Sequence, residues 1–356
     1  MTTYLLAGGG TAGHVNPLLA LADEIMANEP EAKVIALGTR EGLEAHLIPD
    51  RGYELVTVER LPFPRKLNSY ALKFPGRYFR AIRQVRELIK SRGVDVVVGF
   101  GGYASAPAYE AARSEGVALV IHEANALPGI ANRRGAKFAD VVAVAFSGTK
   151  LPRAKHVGMP LRQEVAALVN LSDKTGPRQH FGLDSNTTTM LVTGGSLGAK
   201  RINDTIEASR RVLAAAGIQV LHIVGGRSDL PEVNEPGYRR IAYCDRMELA
   251  IAAADLAVAR SGAATVSEFS AVGLPAIYVP YPVGNGEQAL NARDSVASGA
   301  AILVKDADFT PDFVSSVVVP LASDSKRLAG MSAASSVVAI ADGAQRLYRL
   351  VAELKR

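Results

Sequence analysis

The run Leu5-Leu6-Ala7-Gly8-Gly9-Gly10-Thr11-Ala12-Gly13-His14-Val15-Asn16-Pro17 joins a short apolar strand pattern to a glycine turn and then to a helix start. It has a counterpart far along the chain, where Leu191-Val192-Thr193 runs into Gly194-Gly195-Ser196-Leu197-Gly198. A glycine turn between a parallel strand and a helix lets backbone N–H groups approach phosphate oxygens, and the helix N-terminus adds a favourable field. Further strand patterns follow the first turn at residues 33–37, 54–58, 94–99, 118–122 and 141–145. They are continuously apolar rather than alternating, as expected when helices cover both faces of a parallel sheet. Helical patterns lie between them at 17–27, 70–91 and 106–114. The alternation restarts with strands at 190–193, 219–224, 239–242, 256–259, 276–279 and 301–304, and helices near 200–216, 247–254, 263–272 and 287–298. The expectation is an α/β chain of two doubly wound, Rossmann-like domains. Residues 1–163 form the first, the polar stretch 164–178 a linker and 179–342 the second; an amphipathic helix at 343–356 is free to pack back.

Composition agrees and narrows the partners. A length of 356 residues suits two domains, and the 48% apolar and 21% charged fractions are ordinary for a globular chain. No apolar run reaches the ~18–20 residues needed to span a bilayer. Met1-Thr2-Thr3-Tyr4-Leu5-Leu6 lacks a basic region ahead of its apolar residues and reads as a first strand, not a signal peptide. The single cysteine, Cys244, excludes an internal disulfide and a cysteine-based zinc site. A net charge of +5 points to acidic partners: nucleic acid, anionic lipid or phosphorylated small molecules.

Several motifs compete for the two turns. Gly8-x-Gly10-x-x-Gly13 fits the dinucleotide fingerprint, which also wants a carboxylate at the end of the second strand. Here that strand ends Leu37-Gly38-Thr39-Arg40, so only an NADP-type site with Arg40 stays open. Gly194-x-Ser196-x-Gly198 fits a nucleophile elbow, but the one later histidine, His222, falls inside a strand pattern and cannot serve it. His14, beside the first turn, suits a general base near neutral pH or a group that hydrogen-bonds phosphate or caps the loop. Gly101-Gly102-Tyr103-Ala104-Ser105 and His122-Glu123-Ala124-Asn125 follow other strands and gather polar groups at the same sheet edge. In the second half, Arg260-Ser261-Gly262-Ala263 follows a strand, and Glu268 in the next helix is placed either to accept two ribose hydroxyls or to face solvent. Gln288 and Asn291 offer amides for sugar hydroxyls. Asp306-Ala307-Asp308 mimics a metal-binding pair but precedes a helix start at Pro311, so it reads as loop and cap chemistry and no metal is expected. From Arg60 to Arg92 the chain carries ten Lys or Arg and one acid, Glu87, interleaved with Phe63, Tyr70, Phe74, Tyr78 and Phe79. That pattern favours anionic lipid headgroups, and no nucleic-acid motif accompanies it.

Taken in order, these segments resemble the MurG family of glycosyltransferases over nearly the whole chain. Gly9-Gly10-Thr11-Ala12-Gly13-His14-Val15-Asn16-Pro17 is similar to the family's first glycine loop, Gly101-Gly102-Tyr103 to its second, and His122-Glu123-Ala124-Asn125 to the loop after the next strand. Val157-Gly158-Met159-Pro160-Leu161-Arg162 resembles the segment leaving the first domain. Gly194-Gly195-Ser196-Leu197-Gly198-Ala199 resembles the donor phosphate loop, and Arg260-Ser261-Gly262-Ala263-Ala264-Thr265-Val266-Ser267-Glu268 the nucleotide-sugar signature. The resemblance implies a GT-B fold with its domains facing a cleft. It also implies transfer of N-acetylglucosamine from UDP-N-acetylglucosamine to the undecaprenyl-linked lipid I at the cytoplasmic face of the bacterial membrane, with the protein held there peripherally. It assigns Glu268 to the ribose, Ser196 and its turn to the diphosphate, the backbone around Cys244 to uracil, and Gln288 with Asn291 to the sugar. Ala263, Ala264, Thr265, Val266 and Ser267 belong to the same donor signature. Thr11, Ala12, Gly13, Asn125 and Arg162 complete the donor side. The acceptor falls to Gly9, Gly10, Gly101, Gly102, Tyr103, His122 and Glu123, and His14 becomes the candidate base. No cofactor is implied. Two departures stand out: Ala12 replaces a glycine of many relatives, and Glu287 stands where some carry glutamine. An NADP-dependent oxidoreductase and a non-catalytic UDP-sugar-binding protein remain the alternatives.

Overall fold

The computed structural model describes every residue except Arg65, Leu67, Asn170, Lys355 and Arg356. Arg65 of the basic stretch, Asn170 of the expected linker and the end of the last helix therefore lie outside the described residues. The chain divides into two compact units, Met1–Arg162 with Asp342–Arg356, and Gln163–Ala341.

The first unit is built on β1 (Thr3–Ala7), β2 (Lys33–Gly38), β3 (Glu54–Thr57), β4 (Val96–Gly99), β5 (Ala118–Glu123), β6 (Val141–Val144) and β7 (Ala154–His156). All pair in parallel, in the order β3-β2-β1-β4-β5-β6-β7. Alternate residues enter different cores: Tyr4, Leu6, Val96 and Val98 pack on one face, Leu5, Ala7 and Val97 on the other. Both faces are covered, which is why these strands read as unbroken apolar runs. Strand order reverses between β1 and β4, the place in a parallel sheet beside which ligand sites are commonly built. Helix Gly343–Ala352 buries Leu347 and Val351 in the same core as Leu18, Leu21 and Ile25 of helix Ala12–Asn28. The Tyr348 and Tyr4 hydroxyls both donate to Glu29 Oε1, at 2.8 and 2.9 Å.

The second unit repeats the plan with β8 (Thr189–Thr193), β9 (Gln219–Ile223), β10 (Val233–Glu235), β11 (Tyr238–Ile241), β12 (Leu256–Ala259), β13 (Ala276–Tyr278) and β14 (Ala301–Leu303). The order is β10-β11-β9-β8-β12-β13-β14, parallel except for the β10–β11 hairpin. The stretch 164–178, expected as a linker, is partly taken up by two short helices, Gln163–Ala166 and Thr175–His180. Their charges find a partner in Asp255, bound by Lys174 Nζ at 2.7 Å and Arg178 Nη2 at 2.6 Å. Among the described residues no helix is long and apolar enough to cross a membrane.

Each core hides a histidine. His122 is fully buried, its Nε2 at 3.0 Å from Gly158 O, and burial pushes its pKa down to about 4. His222, between Tyr238 Oη and Asn203 Oδ1, is pushed down to about 3 by burial and by the charge of Arg240. Both folded values lie below the ordinary ~6.5 of an unfolded imidazole, so the unfolded chain binds more protons in acid. Stability from these groups is full above about pH 6.5 and is lost as pH falls toward 4. The thermal midpoint should therefore drop between pH 7 and pH 4.5; a flat profile over that range contradicts the assignment.

Candidate active site

Parallel strands send all their following loops to one edge of the sheet. In the first unit that edge carries the turn 8–11 after β1, residues 39–44 after β2, 100–105 after β4 and 124–129 after β5. Gly10 has φ +92° and is exposed, and Ala12 opens the helix without a positive φ, so the alanine there is tolerated. His14 sits in the first helical turn, half-buried, its Nδ1 at 3.1 Å from Gly9 O and 3.4 Å from Thr11 Oγ1. A carbonyl oxygen only accepts, so in the neutral ring this contact calls for the proton on Nδ1 and the lone pair on Nε2. Gly101, at φ +87°, faces that nitrogen: a Cβ added there would stand 3.4 Å from Nε2. Gly102, at φ +86°, presses on Gly9, whose oxygen would be 2.5 Å from an added Cβ. Tyr103 is half-exposed, with the Arg60 guanidinium 5.0 Å above its ring.

His122 and Glu123 do not reach this surface as ligand-facing side chains, because both are buried. Glu123 instead ties down the loop that follows it. Its oxygens accept from Asn125 N at 2.8 Å, Gly129 N at 2.9 Å and Asn132 Nδ2 at 2.9 Å. Tyr109 Oη donates to Asn132 Oδ1 at 2.7 Å and completes the brace. Asn125 is left half-exposed at the edge, and Arg162 lies half-exposed at the end of the Gly158-Met159-Pro160-Leu161 segment.

The sequence reading missed Glu44. Its carboxylate is fully buried beneath the first turn, accepting from Gly10 N at 2.7 Å, Thr39 N at 2.9 Å and Thr39 Oγ1 at 2.8 Å. Burial alone would raise its pKa, but hydrogen bonds from the Gly10 and Glu44 backbone and from Thr39 outweigh it and hold the group below the usual carboxylate range. Side chains at Gly9 or Gly42 would run into this carboxylate, and one at Gly38 into its methylene stem. The legible signal was the glycines on either side of Thr39-Arg40-Glu41.

In the second unit the edge gathers the loops after β8, β9, β11, β12 and β13. Gly195 and Gly198 have φ +83°, Ser196 and Leu197 are exposed, and Ser196 O accepts from Gly226 N at 2.9 Å. The next loop packs backbone to backbone on this turn, since a Cβ at Gly198 would collide with Val224 O and one at Gly225 with Gly198 N. Helix Ala263–Ala271 starts at the same edge; Ala264, Thr265 and Ser267 are half-exposed, while Ala263, Val266 and Glu268 are largely buried. Arg260 is committed to structure: its Nη1 donates to Val279 O at 2.9 Å and Pro280 O at 3.0 Å and pairs with Asp306 at 2.6 Å. That pairing ties Asp306 of the Asp306-Ala307-Asp308 run to the fold. Gln288 Oε1 accepts from Tyr281 N at 2.9 Å, and buried Asn291 donates to Ser261 O at 3.2 Å. Cys244 is half-buried just past β11, and Glu287 is half-buried where helix Glu287–Asn291 begins.

Two Rossmann-like units with glycine turns at their carboxyl edges are the architecture of the GT-B glycosyltransferases. Residues 4–144 match the glycosyltransferase family 28 N-terminal domain, and residues 189–347 match its C-terminal domain. The UDP-N-acetylglucosamine–N-acetylmuramyl-(pentapeptide) pyrophosphoryl-undecaprenol N-acetylglucosamine transferase of Leifsonia xyli subsp. xyli is 56% identical over 351 residues, 99% of this chain and 98% of that one. The transferase of the same name from Clavibacter sepedonicus is 57% identical over 352 residues, covering 99% and 96%. The crystal structure of Acinetobacter baumannii MurG superimposes with a TM-score of 0.79 at 25% identity, covering 99% of this chain and all of the other. The chain belongs to glycosyltransferase family 28 and, within it, to the MurG enzymes. The oxidoreductase alternative falls with that finding.

The packed turns yield a direct test. Gly198→Ala forces both a positive φ and a collision with Val224 O, and should lower unfolding stability by about 2 kcal/mol or more. Gly76→Ala, with nothing within 4 Å of an added Cβ, should change it by less than about 1 kcal/mol. Denaturation followed by circular dichroism reads both, and equal effects would contradict the packing described.

Proposed function

We propose that the protein moves N-acetylglucosamine from UDP-N-acetylglucosamine to the muramyl sugar of an undecaprenyl diphosphate-linked acceptor, lipid I, with inversion to a β-1,4 linkage in peptidoglycan synthesis. The chemistry rests on one observation, the His14 imidazole held with Nδ1 on Gly9 O and the Nε2 lone pair toward the glycine loop. In this reading the acceptor hydroxyl attacks the anomeric carbon while His14 Nε2 takes its proton. The bond from that carbon to the diphosphate breaks and UDP leaves. Amides of the 194–198 turn stabilise the charge on the departing diphosphate as preorganised donors. Glu268 receives the ribose hydroxyls, the backbone around Cys244 the uracil, and Ser196 the diphosphate. Gln288, whose amide nitrogen stays available while its oxygen holds Tyr281 N, reads the sugar together with Asn291. Helix residues Ala263, Ala264, Thr265, Val266 and Ser267 carry the donor at the N-terminal end of their helix. The acceptor side is Gly9, Gly10, Gly101, Gly102 and Tyr103. Because Gly10 N is already bound by Glu44, that residue contributes shape rather than a free donor.

The same reading places the protein peripherally on the cytoplasmic face of the bacterial membrane. On helix Ser69–Arg92 the apolar Leu72 and Phe79 are 84% and 69% exposed, and Lys73, Arg80 and Arg83 around them are exposed too. An exposed apolar stripe flanked by cations suits an anionic lipid surface.

His14→Ala should lower kcat by roughly 10²–10⁴-fold, and a variant within a few-fold of wild type would assign the base elsewhere. UDP should raise the thermal midpoint and NADPH should not; stabilisation by NADPH alone would contradict the donor class. Leu72→Ser/Phe79→Ser should weaken sedimentation with anionic vesicles by about tenfold or more while sparing turnover of a short-chain soluble acceptor. Unchanged sedimentation would remove this helix from the membrane surface.

A further inference from the structure

Below the first glycine turn a carboxylate, a peptide group and an imidazole stand in a line. Glu44 Oε2 accepts from Gly10 N at 2.7 Å, and Gly9 O lies 3.1 Å from His14 Nδ1. Gly9 O and Gly10 N–H belong to the same amide, so one planar peptide group joins the two side chains. We propose that Glu44 is a positioning residue for His14, acting through the Gly9–Gly10 peptide in place of the direct carboxylate–histidine hydrogen bond found in many general-base pairs. The inference rests on His14 being the base.

The physics follows from hydrogen-bond polarisation. A buried negative charge accepting from one end of an amide draws its N–H and pushes electron density onto its carbonyl oxygen. That oxygen then becomes a stronger acceptor for Nδ1–H. A free neutral imidazole prefers its proton on Nε2, the nitrogen that must be bare to act as base here. The polarised carbonyl reverses the preference and fixes the ring plane, as a second group does for a histidine in a triad.

The surroundings of the carboxylate are built for this. Thr39 N and Thr39 Oγ1 occupy Oε1, leaving Oε2 to the turn. Side chains at Gly9, Gly38 and Gly42 would each collide with Glu44, so three glycines make room for a single acid. Glu123, His122 and Arg60 nearby are engaged elsewhere. Glu123 holds Asn125, Gly129 and Asn132, His122 holds Gly158 O, and Arg60 stacks on Tyr103. A carboxylate that served only to close the turn would need the Gly10 bond alone; it would not matter which nitrogen of His14 is protonated.

The test is ¹⁵N spectroscopy of the full chain labelled at histidine, with His14 assigned from the signal lost in His14→Gln. In the wild-type protein, above the pH where the ring is protonated, His14 should be the Nδ1–H tautomer. In Glu44→Gln, which keeps the shape and removes the charge, the population should shift toward Nε2–H. Its kcat should fall about 10–100-fold with the KM for UDP-N-acetylglucosamine within about twofold. An unchanged tautomer in folded Glu44→Gln overturns the proposal. If that variant does not fold, an Nε2–H tautomer in the wild-type protein overturns it without any substitution. Near wild-type turnover of His14→Ala would remove the base assignment while leaving the tautomer result standing, so the two failures are told apart.

Discussion

The constraint on which each unit depends is the close approach of neighbouring strand-end loops, which only glycine permits. Gly102 lies on Gly9 in the first unit, and Gly198 and Gly225 lie on each other's backbone in the second. Parallel strands bring the loops to one edge, and strand order reverses beside β1 and β8. With side chains in these gaps the turns would splay and the loops would lose their backbone-to-backbone packing. The apolar strands underneath, buried on both faces, hold that edge rigid.

The two turns share a backbone plan but differ in charge. The second offers exposed Ser196 and a helix N-terminus, with Arg260 drawn away to Asp306 and the Val279 and Pro280 carbonyls. The first has a buried carboxylate bound to Gly10. A negative charge there disfavours a diphosphate on that amide and, under the proposed function, favours a hydrogen-bonded histidine ready to act as base. On this view the repeat has diverged into a turn that stabilises a leaving group and a turn that prepares a nucleophile's proton acceptor.

Much of this was legible in the chain. The long apolar strands fell within a residue or two of where they lie, because burial on both faces leaves an unbroken hydrophobic signal. Two strands were missed, Ala154–His156 and Val233–Glu235, both short, polar and at sheet edges where nothing demands an apolar residue. The helix after the first turn starts at Ala12, ahead of the expected residue 17, since Pro17 was read as a start when it is tolerated within the helix. For the site, glycine spacing located both turns and His14. It did not show that His122 and Glu123 point inward, because a strand-end pattern does not say which residues face the core. Nor did it show Glu44, whose role depends on a contact between loops that follow different strands.

The central claim is sugar transfer to a lipid-linked acceptor, and one assay addresses it most directly. Purified protein is incubated with UDP-N-acetylglucosamine labelled in the sugar and an undecaprenyl diphosphate-linked muramyl pentapeptide in detergent micelles. The account predicts label in the lipid fraction as a β-1,4-linked disaccharide, with one UDP released for each sugar transferred. Label that stays in the water-soluble fraction, under conditions where UDP demonstrably binds, would contradict it.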